Sequence, residues 1–117
     1  MLCDIIGSDI QPTQNLRLLK RIGDAKMEWA NHWITVGFKA LEARLQQTAG
    51  KYCFGEEITL ADIYLPPQVY NASRFGVDMS QFPSIARINE NLASVEAFRL
   101  AHFSRQPDCP PEFRAQD

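Results

Sequence analysis

Hydrophobic and polar positions along this chain recur at helical spacing, most clearly between Asp24 and Gln47. At roughly 100° per residue, Trp29, Trp33, Val36 and Ala40 form one apolar stripe. Ile34, Phe38, Leu41 and Leu45 form a second, roughly 140° around from it. Asn31, His32, Thr35, Lys39, Glu42 and Gln46 fill the remaining arc, with Arg44 the main exception. A helix apolar over more than half its circumference is expected to pack on two sides, at the centre of a bundle. Gly50 stands where a C′ glycine would end it.

The same pattern predicts an earlier helix from about Leu2 to Ile22, kinked or split by Pro12, with Gly23-Asp24 as the turn into the central one. Thr59-Leu60-Ala61-Asp62 reads as a helix start, with Thr59 as N-cap and Asp62 reaching back to its N–H in a capping box. That helix runs toward Arg74 and must accommodate Pro66-Pro67. Pro83 suits the first turn of another, with Ile85, Ile88 and Leu92 on its buried face. A short helix from about Val95 to His102 follows, and the proline-containing tail from Ser104 is expected to be extended. Strand signals are weak. The expected fold is all-α, a helical bundle over residues 1–103 with an extended tail over 104–117.

The chain has 117 residues, 45% hydrophobic and 22% charged, with a net charge of −2. This is the composition of one globular domain, with nothing to draw it toward nucleic acid or anionic lipid. Cys3, Cys53 and Cys109 are odd in number and widely spaced, which favours a reducing compartment; cytoplasm is the expected location. No signal peptide or apolar run of membrane-spanning length is read in the sequence.

Candidate chemistry is sparse. His32 and His102 lack partners at ligand spacing, so no metal site is expected. Phosphate-loop, dinucleotide, nucleophile-elbow and zinc-protease motifs are absent. Cys53 reads as a structural thiol. On the first helix Asp4, Ser8, Gln11 and Asn15 fall within roughly 60°. That polar stripe is either a solvated face or a set of amide donors and acceptors for a peptide-like ligand. Arg74 is either a surface arginine or a bidentate clamp for a carboxylate.

Gly50-Lys51-Tyr52-Cys53-Phe54-Gly55 running into Ile58-Thr59-Leu60-Ala61-Asp62 resembles the C-terminal domain of glutathione transferases. Ile10-Gln11-Pro12, Gln14-Asn15-Leu16, Gln47 to Cys53, Pro67-Gln68-Val69, Asn71-Ala72, Arg74-Phe75 and Arg105-Gln106-Pro107-Asp108 narrow the resemblance. They resemble the zeta class, also known as maleylacetoacetate isomerase, from about Leu2 to Arg114. The resemblance implies an all-α bundle of the transferase C-terminal type, a thioredoxin-like N-terminal domain as partner, and a homodimer. It implies glutathione-dependent cis–trans isomerisation in tyrosine and phenylalanine breakdown, on a small dicarboxylate, with α-halo acids as further substrates. Gln11 and Asn15, with Leu16 and Arg17 beside them, match positions that contact glutathione. Arg74 matches the arginine that holds a substrate carboxylate, and Thr59 and Asp62 match the helix cap.

The family's Ser-Ser-Cys-x-Trp-Arg catalytic motif has no counterpart in this sequence, so no catalytic residue is assigned and the chain alone is expected to be inactive. The alternative is a non-catalytic helical module for dimerisation or docking. If a domain is missing, an apolar patch on the first helix and part of the central one is expected where it would sit.

Overall fold

The computed structural model describes residues 1–116. Among them there is no strand; Ala49–Gly55 and Phe54–Glu57 form isolated bridges. The regular helices are α1 (Leu2–Asp4), α2 (Leu16–Ile22), α3 (Lys26–Thr48), α4 (Leu60–Arg74), α5 (Pro83–Ala93) and α6 (Glu96–Ala101).

Pro12 splits the first helical stretch, as expected, and the split is wider than one kink. Residues Ile5–Ile10 wind as a π-helix and Gln11–Gln14 as a 3-10 turn before Asn15, with ψ 136, breaks the helix and starts α2. The π-helix lies against α3 where Gly37 leaves room: a Cβ there would overlap the Ile10 side chain. A 3-10 turn at Gly23–Ala25 then leads into α3.

The buried side of α3 is the Ile34, Phe38, Leu41 and Leu45 stripe, each fully buried. They meet Ile6 and Ile10 from the first stretch, Leu65 and Ala72 from α4, and Ile85, Ile88 and Leu92 from α5 in one core. Phe38 and Phe82 pack edge to face at 5.5 Å. The second stripe does not enter the core. Trp29 and Val36 are 36% and 44% exposed, since α4 and α5 pack against the other stripe.

Glu42, read as part of the polar arc, is buried. Its carboxylate accepts from Ser84 N–H at 2.8 Å and Ile85 N–H at 3.0 Å. Pro83 occupies the first position of α5 and Phe82 offers no capping side chain. Glu42 therefore caps α5 from 42 residues upstream.

The α4 start forms as its sequence suggests. Asp62, fully buried, accepts from Thr59 N–H at 2.8 Å and from the Thr59 hydroxyl at 3.2 Å, and closes the capping box. Its other oxygen accepts from Cys53 N–H at 2.9 Å, so the cap also anchors the preceding loop. Thr59→Ala should cost about 1 kcal/mol of unfolding free energy by urea titration, the usual value of an N-cap; an unchanged midpoint would show that Asp62 alone carries the cap.

Gly50 ends α3 by a different device from the expected left-handed cap. Left-handed φ occurs at Gly23, Gly55 and Gly76, and not at Gly50. A Cβ on Gly50 would instead collide with Glu56 and lie 2.7 Å from the Gly55 carbonyl oxygen, so close chain approach requires glycine here.

Residues from Ser104 onward are not one extended run. Phe103–Arg105 and Pro111–Phe113 are 3-10 turns, and Cys109 between them is buried. Arg114 donates to the carbonyls of Cys109 (3.0 Å) and Pro107 (3.2 Å), and Ala115 N–H to Ser104 (3.1 Å), which folds the tail back on itself. Asp117, the last tail position, lies outside the described residues.

Candidate functional site

The segment Gln11–Asn15 is stranded between two helices, and its own backbone holds it weakly. Pro12 has no N–H to donate, and the Asn15 N–H reaches the Pro12 carbonyl at 3.5 Å. Side chains supply the restraint. Gln14 is buried and donates from Nε2 to Oε1 of Gln68 at 2.5 Å, a link from this segment to the middle of α4. Trp29 on α3 donates its indole N–H to the Thr13 carbonyl at 2.9 Å. The Thr13 hydroxyl donates back to Ile10 at 2.7 Å.

Held this way, Gln11 and Asn15 are exposed on either side of the buried Gln14. Asn15 Oδ1 accepts from Arg17 N–H at 2.9 Å and caps α2. Leu16 and Arg17 follow, both exposed. The four-residue polar stripe does not extend back to Asp4 as one row. Asp4 pairs with the N-terminal amine at 3.2 Å, and the intervening π-helix changes the angle per residue on which that alignment rests.

Arg74, exposed, closes α4 with its guanidinium 6.0 Å from the Tyr70 ring centre and 5.9 Å from that of Phe75. It lies six residues beyond Gln68, about 9 Å along the helix axis. The helix that grips Gln14 therefore also carries the guanidinium. Asn31 of α3 donates to the Phe75 carbonyl at 2.9 Å and fixes this end of α4.

Two residues of this arrangement, Gln14 and Gln68, stand in segments that carry the resemblance but were given no role from sequence. The signal was present. Gln14 continues the buried series Ile6 and Ile10 at i+4 spacing, and Gln68 sits between Leu65 and Ala72 on the buried face of α4. A polar residue on an apolar stripe marks a specific partner.

Leu60, Ile63, Pro67, Tyr70 and Arg74 fall within roughly 80° on one side of α4 and are all exposed. Met27, Trp29 and Val36 on α3 and Leu16 at the start of α2 are further exposed apolar side chains. An apolar patch was expected on the first helix and part of the central one; the row on α4 was not foreseen. On the side of α4 away from Gln68, a groove of about 500 Å³ runs between α4, α5, α6 and the tail, bordered by Tyr70, Asn89, Arg99 and His102.

Cys53 is buried, and burial, followed by the Asp62 carboxylate beside it, pushes its thiol well above the ordinary range. It holds its proton and is no nucleophile. Because the folded state keeps a proton that the unfolded chain releases above about pH 8.5, this contribution to stability is complete below that pH and is lost as pH rises above it. Wild-type protein should lose more stability than Cys53→Ala between about pH 8 and pH 10; parallel curves in urea titrations would refute this. Among the described residues no three His, Cys, Asp or Glu side chains gather as a metal site would, and no helix is long and apolar enough to cross a membrane.

No family model matches the chain. Individual proteins do. Maleylacetoacetate isomerase of Rattus norvegicus is 54% identical over 115 residues, which cover 97% of this chain and 53% of the rat protein. Probable maleylacetoacetate isomerase 2 of Drosophila melanogaster is 56% identical over 112 residues, covering 95% and 49%. The chain is a homologue of the maleylacetoacetate isomerases. It spans about half the length of these relatives.

The solved structures agree. Maleylacetoacetate isomerase from Anaeromyxobacter dehalogenans 2CP-1, with dicarboxyethyl glutathione and citrate bound in its active site, superposes with a TM-score of 0.90 at 40% identity. The match covers 94% of this chain and 53% of that one. A holo maleyl pyruvate isomerase, a bacterial glutathione transferase of the zeta class, superposes with a TM-score of 0.88 at 39% identity, covering 93% and 56%. The all-α bundle expected from sequence is thus the helical fold that zeta-class glutathione transferases share with this chain over the matched half.

Proposed function

We propose that this chain is the helical half of a glutathione-dependent cis–trans isomerase of the maleylacetoacetate type. The observation that carries the proposal is 54% identity to a maleylacetoacetate isomerase across 97% of the chain. The ligands of the bacterial neighbour, a dicarboxyethyl glutathione and citrate, have the chemistry that exposed amides and a guanidinium would meet.

Gln11 and Asn15 present neutral amides suited to the peptide groups of glutathione, with Leu16 and Arg17 beside them. Arg74 holds a carboxylate of a small dicarboxylate or α-halo acid substrate. When bound, glutathione supplies a thiolate that adds to the double bond and so permits rotation. None of Gln11, Asn15 and Arg74 lowers a thiol pKa from about 8.5 by itself. That task belongs to a thioredoxin-like partner domain, corresponding to the half of the relatives this chain does not match. The exposed α4 row from Leu60 to Arg74 is the surface it would cover. The Trp29, Trp33 and Val36 face of α3 would meet a second copy in a homodimer. Free, widely spaced cysteines fit a cytoplasmic enzyme of tyrosine and phenylalanine catabolism.

The test is turnover of maleylacetoacetate by the native polypeptide with and without glutathione, together with the Arg74→Ala variant. Glutathione-dependent isomerisation is expected, and Arg74→Ala should raise KM for the dicarboxylate about tenfold. An absence of turnover would favour the docking-module alternative, and an unchanged KM would remove Arg74 from the site.

A further inference from the structure

The Gln14–Gln68 pair is an unfavourable way to fill a core. Among the described residues Gln14 Oε1 and Gln68 Nε2 are buried without a partner, although the pair shares one hydrogen bond. A buried amide left half satisfied is costly, and apolar side chains of similar volume would fill the space at less expense in free energy. Core stability alone does not account for it. Its other consequence is geometric: it ties α4 to a segment whose backbone bonds Pro12 has interrupted.

A second tie reaches the same segment from another helix. The Trp29 indole donates to the Thr13 carbonyl, and a T-shaped contact with Trp33 at 5.7 Å orients that ring. The two ties meet the segment at adjacent residues: the Thr13 carbonyl accepts from Trp29, and the Gln14 amide donates to Gln68. They restrain the chain immediately between Gln11 and Asn15, neither of which is held by packing of its own.

We propose that Gln68 and Trp29 are positioning residues that hold segment 11–15 in one conformation, and so set the spacing between Gln11 and Asn15 for ligand contact. The ligand half of this statement rests on the proposed glutathione site; the conformational half does not. Neither side chain needs to touch the ligand. Each acts through Thr13 or Gln14, and each removes conformational freedom that binding would otherwise have to remove.

The test compares wild type with Gln68→Met and Trp29→Phe by amide hydrogen exchange and by glutathione titration, both followed by NMR. Trp29→Phe keeps an aromatic ring at the surface and loses the N–H donor with part of the ring area, so it decides the matter if Gln68→Met fails to fold. Exchange at Gln14, Asn15 and Arg17 should quicken about tenfold, the scale of one lost hydrogen bond, while Phe38 and Leu41 keep their protection. The glutathione concentration that half-saturates shifts of the Gln11 and Asn15 side-chain amides should rise about tenfold. Exchange that is unchanged, or that quickens only in step with Phe38 and Leu41, overturns the proposal. If glutathione shifts neither amide in wild type, the proposed glutathione site fails, and the exchange comparison still decides whether the ties act.

Discussion

Asp62→Ala is expected to remove about 3–4 kcal/mol of unfolding free energy, roughly three times the loss for Thr59→Ala. The carboxylate is fully buried and accepts three hydrogen bonds, from Cys53 N–H, Thr59 N–H and the Thr59 hydroxyl. Alanine would leave two backbone donors without a partner, each costing about 1–3 kcal/mol where water cannot reach. The loop Gly50–Ile58 and the start of α4 should loosen together, because one side chain bonds to both. Urea titration with an unchanged slope gives the energy, and exchange at Cys53 and Thr59 gives the location. A loss below about 1 kcal/mol would mean that water replaces the carboxylate and that the cap is local.

Glu42→Ala is the second large effect, at about 3 kcal/mol. It removes a side chain that caps α5 from a different helix. Exchange at Ser84 and Ile85 should rise far more than at Leu41, one residue before the mutation on α3. Glu42→Gln keeps one strong acceptor and should retain about half the stabilisation. If the alanine variant raised exchange along α3 and left Ser84 protected, the energetic role of Glu42 would lie in helix packing. The position also shows why helical periodicity misplaced this residue. Its angle put it among polar neighbours, and the N-terminus of α5, which has no cap of its own, draws it inside.

The positions proposed for glutathione and substrate have a similar history. Gln11, Asn15 and Arg74 are proposed from sequence because their chemistry and the surrounding residues resemble a family. Their support was not legible there. Gln68 and Gln14 are 54 residues apart in the chain, and Trp29 reaches back 16 residues to Thr13. No local rule pairs them. The most that sequence offered was a glutamine on each of two apolar stripes.

By itself the sequence determined what short-range physics decides: an all-α chain, the break at Pro12, the cap at Thr59 and Asp62, the start at Pro83 and the apolar face of each helix. These depend on residues within one or two turns of each other, where backbone geometry leaves little choice. Tertiary structure decided which of the two stripes on α3 is buried and where Glu42 finds its donors. It also decided that Ile10 fits against Gly37, that Gln14 meets Gln68, and that the tail turns back through Arg114. Each of those depends on which surfaces meet after long loops close. The competing pairings have similar local energies, so only the packed whole selects among them.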